Sequence, residues 1–349
     1  MKIAQIAPLY ESVPPHAYGG TERVVAYLTE ALVKQGHAVT LFASGDSITS
    51  AKLVPIVDRA LRLDQSCRDP LPAHFVLMDH VAKWAPEFDI LHFHTDYLHF
   101  PIVRLLGIPN VTTLHGRLDL PDLPMLYRQF NRVPLISVSN AQRNPLTMAN
   151  WRATVYHGLP EDLYRFHPRS GGYLAFLGRI SPEKRPDRAI EIARRTGLPL
   201  KIAAKVDKVD EAYFNAEIKA LLAQPNIEFI GEIGDREKEQ FLGDARALLV
   251  PIDWPEPFGL VMIEAMACGT PVIAFRCGSV PELMRDGVTG FVVDSVEQAV
   301  LAVDRIDAID RRACRREFER RFTADRMARD YVAAYQAVID RGDMTLRAV

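Results

Sequence analysis

The stretch Trp254-Pro255-Glu256-Pro257-Phe258-Gly259-Leu260-Val261-Met262-Ile263-Glu264-Ala265-Met266-Ala267-Cys268-Gly269-Thr270-Pro271 lies between two short apolar runs, Ala247 to Pro251 and Pro271 to Phe275. Runs of this length bounded by turn residues read as buried strands, and the periodic segment from Gly259 to Ala267 reads as a helix. Strand, turn, helix and strand in this order make a βαβ unit, whose strands are parallel. The alternation continues in both directions. Downstream of residue 170, further strands are expected at Tyr173 to Leu177, Leu200 to Ala204, Ile227 to Ile230 and Gly290 to Val293, with helices near Arg188 to Thr196, Glu211 to Ala223, Glu237 to Ala245, Pro281 to Arg285 and Val296 to Ile306. Upstream, strands are expected at Lys2 to Ala7, Ala38 to Ala43, Ile90 to His94, Val111 to Leu114, Leu135 to Val138 and Thr154 to His157. A helix from Thr21 to Gln35, with Val24, Val25, Leu28 and Leu32 on one face and Gly36 as its stop, joins the first two. Gly158-Leu159-Pro160 and His167 to Gly172 form the clearest composition break. The expected fold class is α/β, with two doubly wound parallel-sheet (Rossmann-like) domains, residues 1–160 and 168–324, facing a central cleft, and a C-terminal segment at 325–349.

The composition supports two globular cores. Of 349 residues, 48% are apolar and 25% charged, which excludes a disordered or fibrous chain. Forty-two basic side chains against 44 acidic ones leave a formal charge of -2, so no global field attracts nucleic acid or an anionic membrane. Cys67, Cys268, Cys277 and Cys314 lack CxxC spacing and read as thiols in a reducing, cytoplasmic setting. The apolar N-terminus is too short for a signal h-region, and no run is long enough to span a bilayer. Arg311 to Arg329 holds eight arginines at helical period. Its ordinary reading is a solvated helix face, with a peripheral acidic-lipid or partner contact as the alternative.

Several residues could carry chemistry. The backbone amides of Phe258, Gly259 and Leu260 open a helix after a strand, where an anion is welcome. Glu256 and Glu264 flank that end; carboxylates repel phosphate but accept hydrogen bonds from hydroxyls, so a ligand with both phosphates and polyols, a nucleotide sugar, fits. The bland alternative makes Glu256 a partner of the helix dipole and Glu264 an exposed helix residue. Arg179 and Lys184 follow the strand Tyr173 to Leu177 and could clamp a pyrophosphate, or form a solvated basic loop paired with Glu183. Tyr18-Gly19-Gly20-Thr21-Glu22 sits where phosphate loops occur but matches neither a dinucleotide fingerprint nor a Walker loop. His115 stands at a strand end. His92-Phe93-His94-Thr95-Asp96 lacks a further ligand, and no DxD occurs, so no metal site is expected.

Taken together, Gly19-Gly20-Thr21-Glu22-Arg23, Asp89 to His94, Thr113-Leu114-His115-Gly116, Gly178 to Lys184 and Glu256 through Ile273 resemble the retaining glycosyltransferases of the GT-B fold, family 4, over about residues 1 to 295. The resemblance implies that Arg179 and Lys184 hold the donor pyrophosphate, Glu264 the ribose diol, and Ile233 the base through its backbone. It also implies that Glu256 and the Phe258-Gly259-Leu260 amides grip the donor sugar and phosphate, that His115 faces the sugar, and that Gly19 and Gly20 approach the phosphates. The C-terminal helix, about Asp325 to Ile339, would cross back to the first domain. The chain departs from the family where many members carry Asn-Gly-Val-Asp, having His157-Gly158-Leu159-Pro160, and in the single glycine of Cys277-Gly278-Ser279. The implied activity is metal-independent, retaining transfer of a hexose-type sugar from a nucleoside diphosphate, UDP being the expected base, to an unidentified acceptor. No cofactor is implied beyond this co-substrate. A non-hydrolysing nucleotide-sugar epimerase and a nucleotide-sugar-binding protein without turnover are the alternatives. First-domain loops at Glu11 to Tyr18, Ser44 to Asp79 and Gly116 to Arg132 would form the acceptor pocket; Leu118 to Leu126 reads as a short amphipathic helix or as its apolar lining.

Overall fold

The computed structural model describes residues 1–16 and 19–342; Tyr18 of the expected glycine loop and residues 343–349 of the expected C-terminal segment lie outside the described residues. The chain divides into two units, Met1–Pro160 together with the chain from Ala324 onward, and Glu161–Thr323.

The first unit is built on β1 (Lys2–Ile6), β2 (Ala38–Ala43), β3 (Lys52–Pro55), β4 (Ile90–Phe93), β5 (Asn110–Thr113), β6 (Leu135–Ser137) and β7 (Trp151–Thr154). They form one seven-stranded sheet in the order β3-β2-β1-β4-β5-β6-β7, and β1 pairs in parallel with both β2 and β4. The second unit carries β8 (Tyr173–Arg179), β9 (Leu200–Lys205), β10 (Ile227–Gly231), β11 (Ala245–Val250), β12 (Val272–Phe275) and β13 (Gly290–Val293). Its six strands run β10-β9-β8-β11-β12-β13, again all parallel. In each sheet the order reverses beside the first strand, between β1 and β4 and between β8 and β11. Ligands of doubly wound sheets bind at the carboxyl ends of the strands at such switch points.

Most expected strands stand within two residues of their places, and the differences have local causes. β3 went unread because Lys52-Leu53-Val54-Pro55 is a short edge strand ending in proline. β7 lies three residues before the expected Thr154 to His157, since Trp151-Arg152-Ala153-Thr154 is a four-residue, half-buried edge strand with only two apolar residues. The helix expected over Glu211 to Ala223 is broken into a helical turn at Glu211–Tyr213, a wide π turn at Phe214–Ile218 and a 3-10 turn at Leu221–Ala223. Leu123–Gln129 is a short helix, with Leu118 and Leu123 in the first unit's core and Met125 exposed.

The arginine-rich segment is a solvated face in part: Arg312, Arg316, Arg320 and Arg329 are exposed, whereas Arg311, Arg315, Arg321 and Arg326 are half-buried. It is two helices, Arg311–Arg321 and Ala324–Asp340, separated at buried Phe322. Arg311 donates to the carbonyls of His167 at 2.8 Å, Gly243 at 2.7 Å and Ala245 at 3.0 Å. Arg315 donates to those of Tyr164, Ala267 and Glu161, each at 2.8 Å. Gly243 and Ala267 lie in the last turns of the helices Asp235–Gly243 and Leu260–Cys268, where carbonyls lack intrahelical donors. Spacing of four residues puts Arg311 and Arg315 on one helix face, so one row of guanidinium groups satisfies both ends. In the first unit, Arg326 likewise donates to the carbonyls of Tyr156 at 2.7 Å and His157 at 2.9 Å.

Candidate active site

In the Glu161–Thr323 unit, the loops after β8 and β11 meet at the switch point. The end of β8 brings Arg179 and the loop after it Lys184 and Arg185; the loop after β11 brings Asp253, Trp254 and Glu256. They are laced together by a backbone hydrogen bond from Asp253 N to Glu183 O at 2.9 Å and by the ion pair of Lys184 with Glu256. Asp253 also receives Arg185 at 2.7 Å and Arg188 at 3.0 Å. Arg185 has φ of 52°, a left-handed conformation that is costly for a side-chain-bearing residue and that turns the chain into the helix Pro186–Thr196. Arg185, Arg188 and Asp253 were missed in the sequence, where they read as ordinary charged loop residues.

Arg179 ends β8 among three carboxylates: it pairs with Glu183, lies 3.4 Å from Asp210 and 3.7 Å from Asp207. Burial works against the Glu183 charge, but hydrogen bonds from its own backbone and from Arg179 outweigh it and hold its carboxyl below the usual range. Asp210 is pushed up by burial, which Arg179 offsets only in part. The expected pairing of Glu183 with the basic loop is therefore present, and the cation it neutralises is Arg179.

The helix Leu260–Cys268 starts beyond Gly259, whose φ of 83° suits glycine; a Cβ there would lie 2.7 Å from Met262 Cε. Phe258 is buried edge-on to Phe322, ring centroids 6.3 Å apart, so its side chain anchors the turn and its backbone is what it can offer a ligand. Leu260, the first residue of the helix, is half-buried. Glu256 accepts from Trp254 Nε1 at 3.1 Å as well as from Lys184, and the Lys184 ammonium sits 5.1 Å from the centroid of the Trp254 ring. Behind it, Ser279 N donates to Glu256 O at 3.0 Å, and Ser279 Oγ to Phe258 O at 2.7 Å. Gly278 has φ of 54°, and a Cβ on it would lie 2.4 Å from the Glu256 backbone nitrogen and oxygen. The single glycine of the Cys277-Gly278-Ser279 turn is thus the one the site's backbone requires.

Glu264 overturns the reading of an exposed helix residue: it is 2% exposed and accepts from Lys238 at 3.2 Å. Lys238 belongs to the helix Asp235–Gly243, and Ile233 is a half-buried residue of the loop that leads into it from β10. Lys238 could have been found from its position one helical turn into a segment that begins right after that loop.

In the first unit, Gly19 is buried against Pro15 and Gly20 opens the helix Gly20–Lys34. His115 follows β5 and joins a network of buried polar side chains. Its Nε2 lies 2.9 Å from His94 Nδ1, and His94 Nε2 lies 2.8 Å from Gln5 Oε1. Gln5 Nε2 donates to the Tyr335 hydroxyl at 3.2 Å, which lies 2.6 Å from His92 Nδ1. His92 Nε2 reaches Thr113 Oγ1 at 2.7 Å, and that oxygen lies 3.0 Å from the Tyr331 hydroxyl. Tyr331 and Tyr335 come from the C-terminal helix, which supplies partners that the β4 histidines could not reveal alone. Both nitrogens of His92 and both of His94 are used within the protein. Burial pushes the His115 imidazole down to about 3, and burial with neighbouring imidazoles holds His92, His94 and His157 well below the usual range. All are neutral at physiological pH.

Paired doubly wound sheets with these strand orders define the GT-B class. The family description Glycosyltransferase Family 4 matches residues 18–180 and Glycosyl transferases group 1 matches residues 166–322. The chain belongs to this glycosyltransferase family. It is similar to D-inositol 3-phosphate glycosyltransferase of Mycobacterium leprae, 34% identical over 139 residues, which is 36% of this chain and 30% of that protein. The aligned part thus spans about 30% of the length of that relative. The enzyme of the same name from Mycolicibacterium smegmatis is 29% identical over 344 residues, covering 79% of this chain and 75% of its own. Among solved structures, Anabaena HepE in complex with UDP superposes with a TM-score of 0.75 at 19% identity, over 97% of this chain and 100% of that one. Among the described residues, no helix is long and apolar enough to cross a membrane.

Proposed function

We propose that the protein transfers a hexose-type sugar from a nucleoside diphosphate, UDP, to an acceptor hydroxyl, with retention of configuration and no metal ion. The observation that carries this reading is the convergence of Arg179, Lys184 and the amino end of the helix Leu260–Cys268 on one switch point, with Glu256 and Glu264 beside it. A diphosphate there takes Lys184 from Glu256 and meets the helix-end amides and Arg179, which stabilise the leaving group's charge as it grows. Released from Lys184, the Glu256 carboxylate accepts hydrogen bonds from the sugar hydroxyls. Glu264, oriented by Lys238, takes the ribose diol, and the backbone at Ile233 meets the base. Gly19 and Gly20 serve the phosphates, and His115 accepts a hydrogen bond from the donor sugar.

Glu256 is engaged by Lys184 and Trp254, which suits binding better than covalent attack. The acceptor oxygen therefore bonds to the anomeric carbon on the face from which the diphosphate departs, and the acceptor proton passes to a departing phosphate oxygen. The UDP named in the HepE complex supports the choice of base, and the names of the mycobacterial relatives make inositol phosphates the first acceptors to test. The experiment is product analysis in EDTA with UDP-sugars, with and without acceptor, followed by NMR of the new glycosidic linkage. Transfer with the donor's anomeric configuration supports the reading. Conversion of the donor sugar alone, without acceptor, replaces it with epimerisation.

A further inference from the structure

The hydrogen-bond chain through the first unit has a direction, and the direction decides what His115 can do. A neutral imidazole carries one N–H and one lone pair, and an amide oxygen only accepts. Gln5 Nε2 donates to Tyr335, so its Oε1, 2.8 Å from His94 Nε2, must accept a hydrogen bond from an N–H at that nitrogen. His94 Nδ1 then holds the lone pair and accepts from His115 Nε2 at 2.9 Å. His115 is left with its lone pair on Nδ1, an atom with no protein partner among the described residues, on a half-buried ring stacked 5.3 Å from His157. The other branch agrees. Tyr335, accepting from Gln5, donates to His92 Nδ1, and His92 Nε2 donates to Thr113. Reversing His115 would require turning the Gln5 amide over and inverting every bond from Tyr335 to Thr113, so the network behaves as one unit.

We propose that Gln5 and His94 are positioning residues that fix the Nε2–H tautomer of His115, leaving Nδ1 as an obligate acceptor for a substrate hydroxyl. The inference deepens the reading above, and its role for His115 rests on that reading. It also limits what His115 does, because burial lowers the basicity of the ring to a value near 3, so Nδ1 accepts a hydrogen bond from a sugar hydroxyl and is a poor acceptor of its proton. An acceptor atom selects for a hydroxyl at the facing carbon of the sugar and against a deoxy or methoxy group there, since neither can donate to Nδ1.

The test reads the tautomer directly, on the protein without substrate, from ring-nitrogen and carbon-proton correlations of protein carrying 15N-labelled histidine, with His115 identified by comparison with His115→Gln. The proposal expects a pyridine-type Nδ1 and a protonated Nε2 on His115, and a protonated Nε2 on His94. A protonated Nδ1 on His115 overturns it. Gln5→Met removes the directing oxygen and is expected to average the two His115 tautomers and lower kcat/KM for transfer about tenfold, the scale of one hydrogen bond. Gln5→Glu keeps an oxygen toward His94 and restores both. A folded Gln5→Met protein with an unchanged His115 signature contradicts the relay. Absence of transfer by wild-type protein that shows the expected tautomer refutes the functional reading instead, so the two failures are distinct.

Discussion

The two switch points share a strand order and differ in chemistry. Between β1 and β4 the carboxyl ends are lined with neutral imidazoles, hydroxyls and an amide, whereas between β8 and β11 they are bound by ion pairs. The doubly wound sheet fixes where a ligand sits and leaves what it is to the loops. Neutral buried groups can read hydroxyl positions, and the charged pairs can exchange partners with a phosphate. The first surface rewards rigidity, and the second rewards being able to give up an internal bond.

The largest effect expected on the charged side comes from its backbone. Gly278→Ala places a Cβ against Glu256 at a φ of 54°, and should cost about 2 kcal/mol or more of stability together with loss of nucleoside diphosphate binding. Urea unfolding and calorimetry measure both; unaltered binding would show that the Glu256 turn need not hold this shape. Lys184→Ala should weaken diphosphate binding by about 1.5 to 3 kcal/mol, the worth of a charged hydrogen bond. Equal affinity in wild type and variant would remove Lys184 from the site.

The neutral side is tested with acid. Histidines whose folded values lie below the unfolded value of about 6.5 keep the unfolded chain richer in protons, so their contribution is present above that pH. It is lost progressively as pH falls from about 6.5 toward the value near 3 of His115. Glu22, raised to about 7 by burial, works in the opposite sense, its contribution being lost as pH rises through 7. The histidines outnumber it, so the melting temperature should drop between pH 6.5 and 5, with little dependence on salt. A flat profile would mean that these rings protonate without disturbing the network.

Smaller effects separate the two acids of the charged side. Glu256→Gln removes the internal competitor for Lys184 and should tighten binding of a bare diphosphate by about 1 kcal/mol while lowering transfer. Glu264→Gln should weaken a ribonucleotide by about 1 kcal/mol and its 2′-deoxy counterpart, which keeps one of the two hydroxyls, by less. If both nucleotides weaken alike, Glu264 serves Lys238 and the helix packing only.

Much of this was legible in the chain because it depends on local order. A strand followed by a turn and a periodic segment reads the same way wherever it occurs; at Tyr173 to Thr196 it singles out Arg179 and Lys184, and at Ala247 to Pro271 Glu256 and Gly259. What escaped reading depends on distant partners. The Asp253 lace needs β8 beside β11, Lys238 needs two helices side by side, and the tyrosines that order His92 arrive from more than 230 residues away in the sequence. Arg311 and Arg315 misled for the same reason, since periodicity shows a charged face but not the carbonyls that part of it meets.

The central claim is a metal-free diphosphate site on the Glu161–Thr323 unit. Thermal unfolding of the wild-type protein with UDP, GDP, ADP and TDP in EDTA tests it most directly. A rise is expected with one diphosphate, UDP, corresponding to about 2.7 kcal/mol at a hundredfold excess over its dissociation constant, and unchanged by the chelator. No response to any diphosphate, or a response that EDTA abolishes, would contradict it.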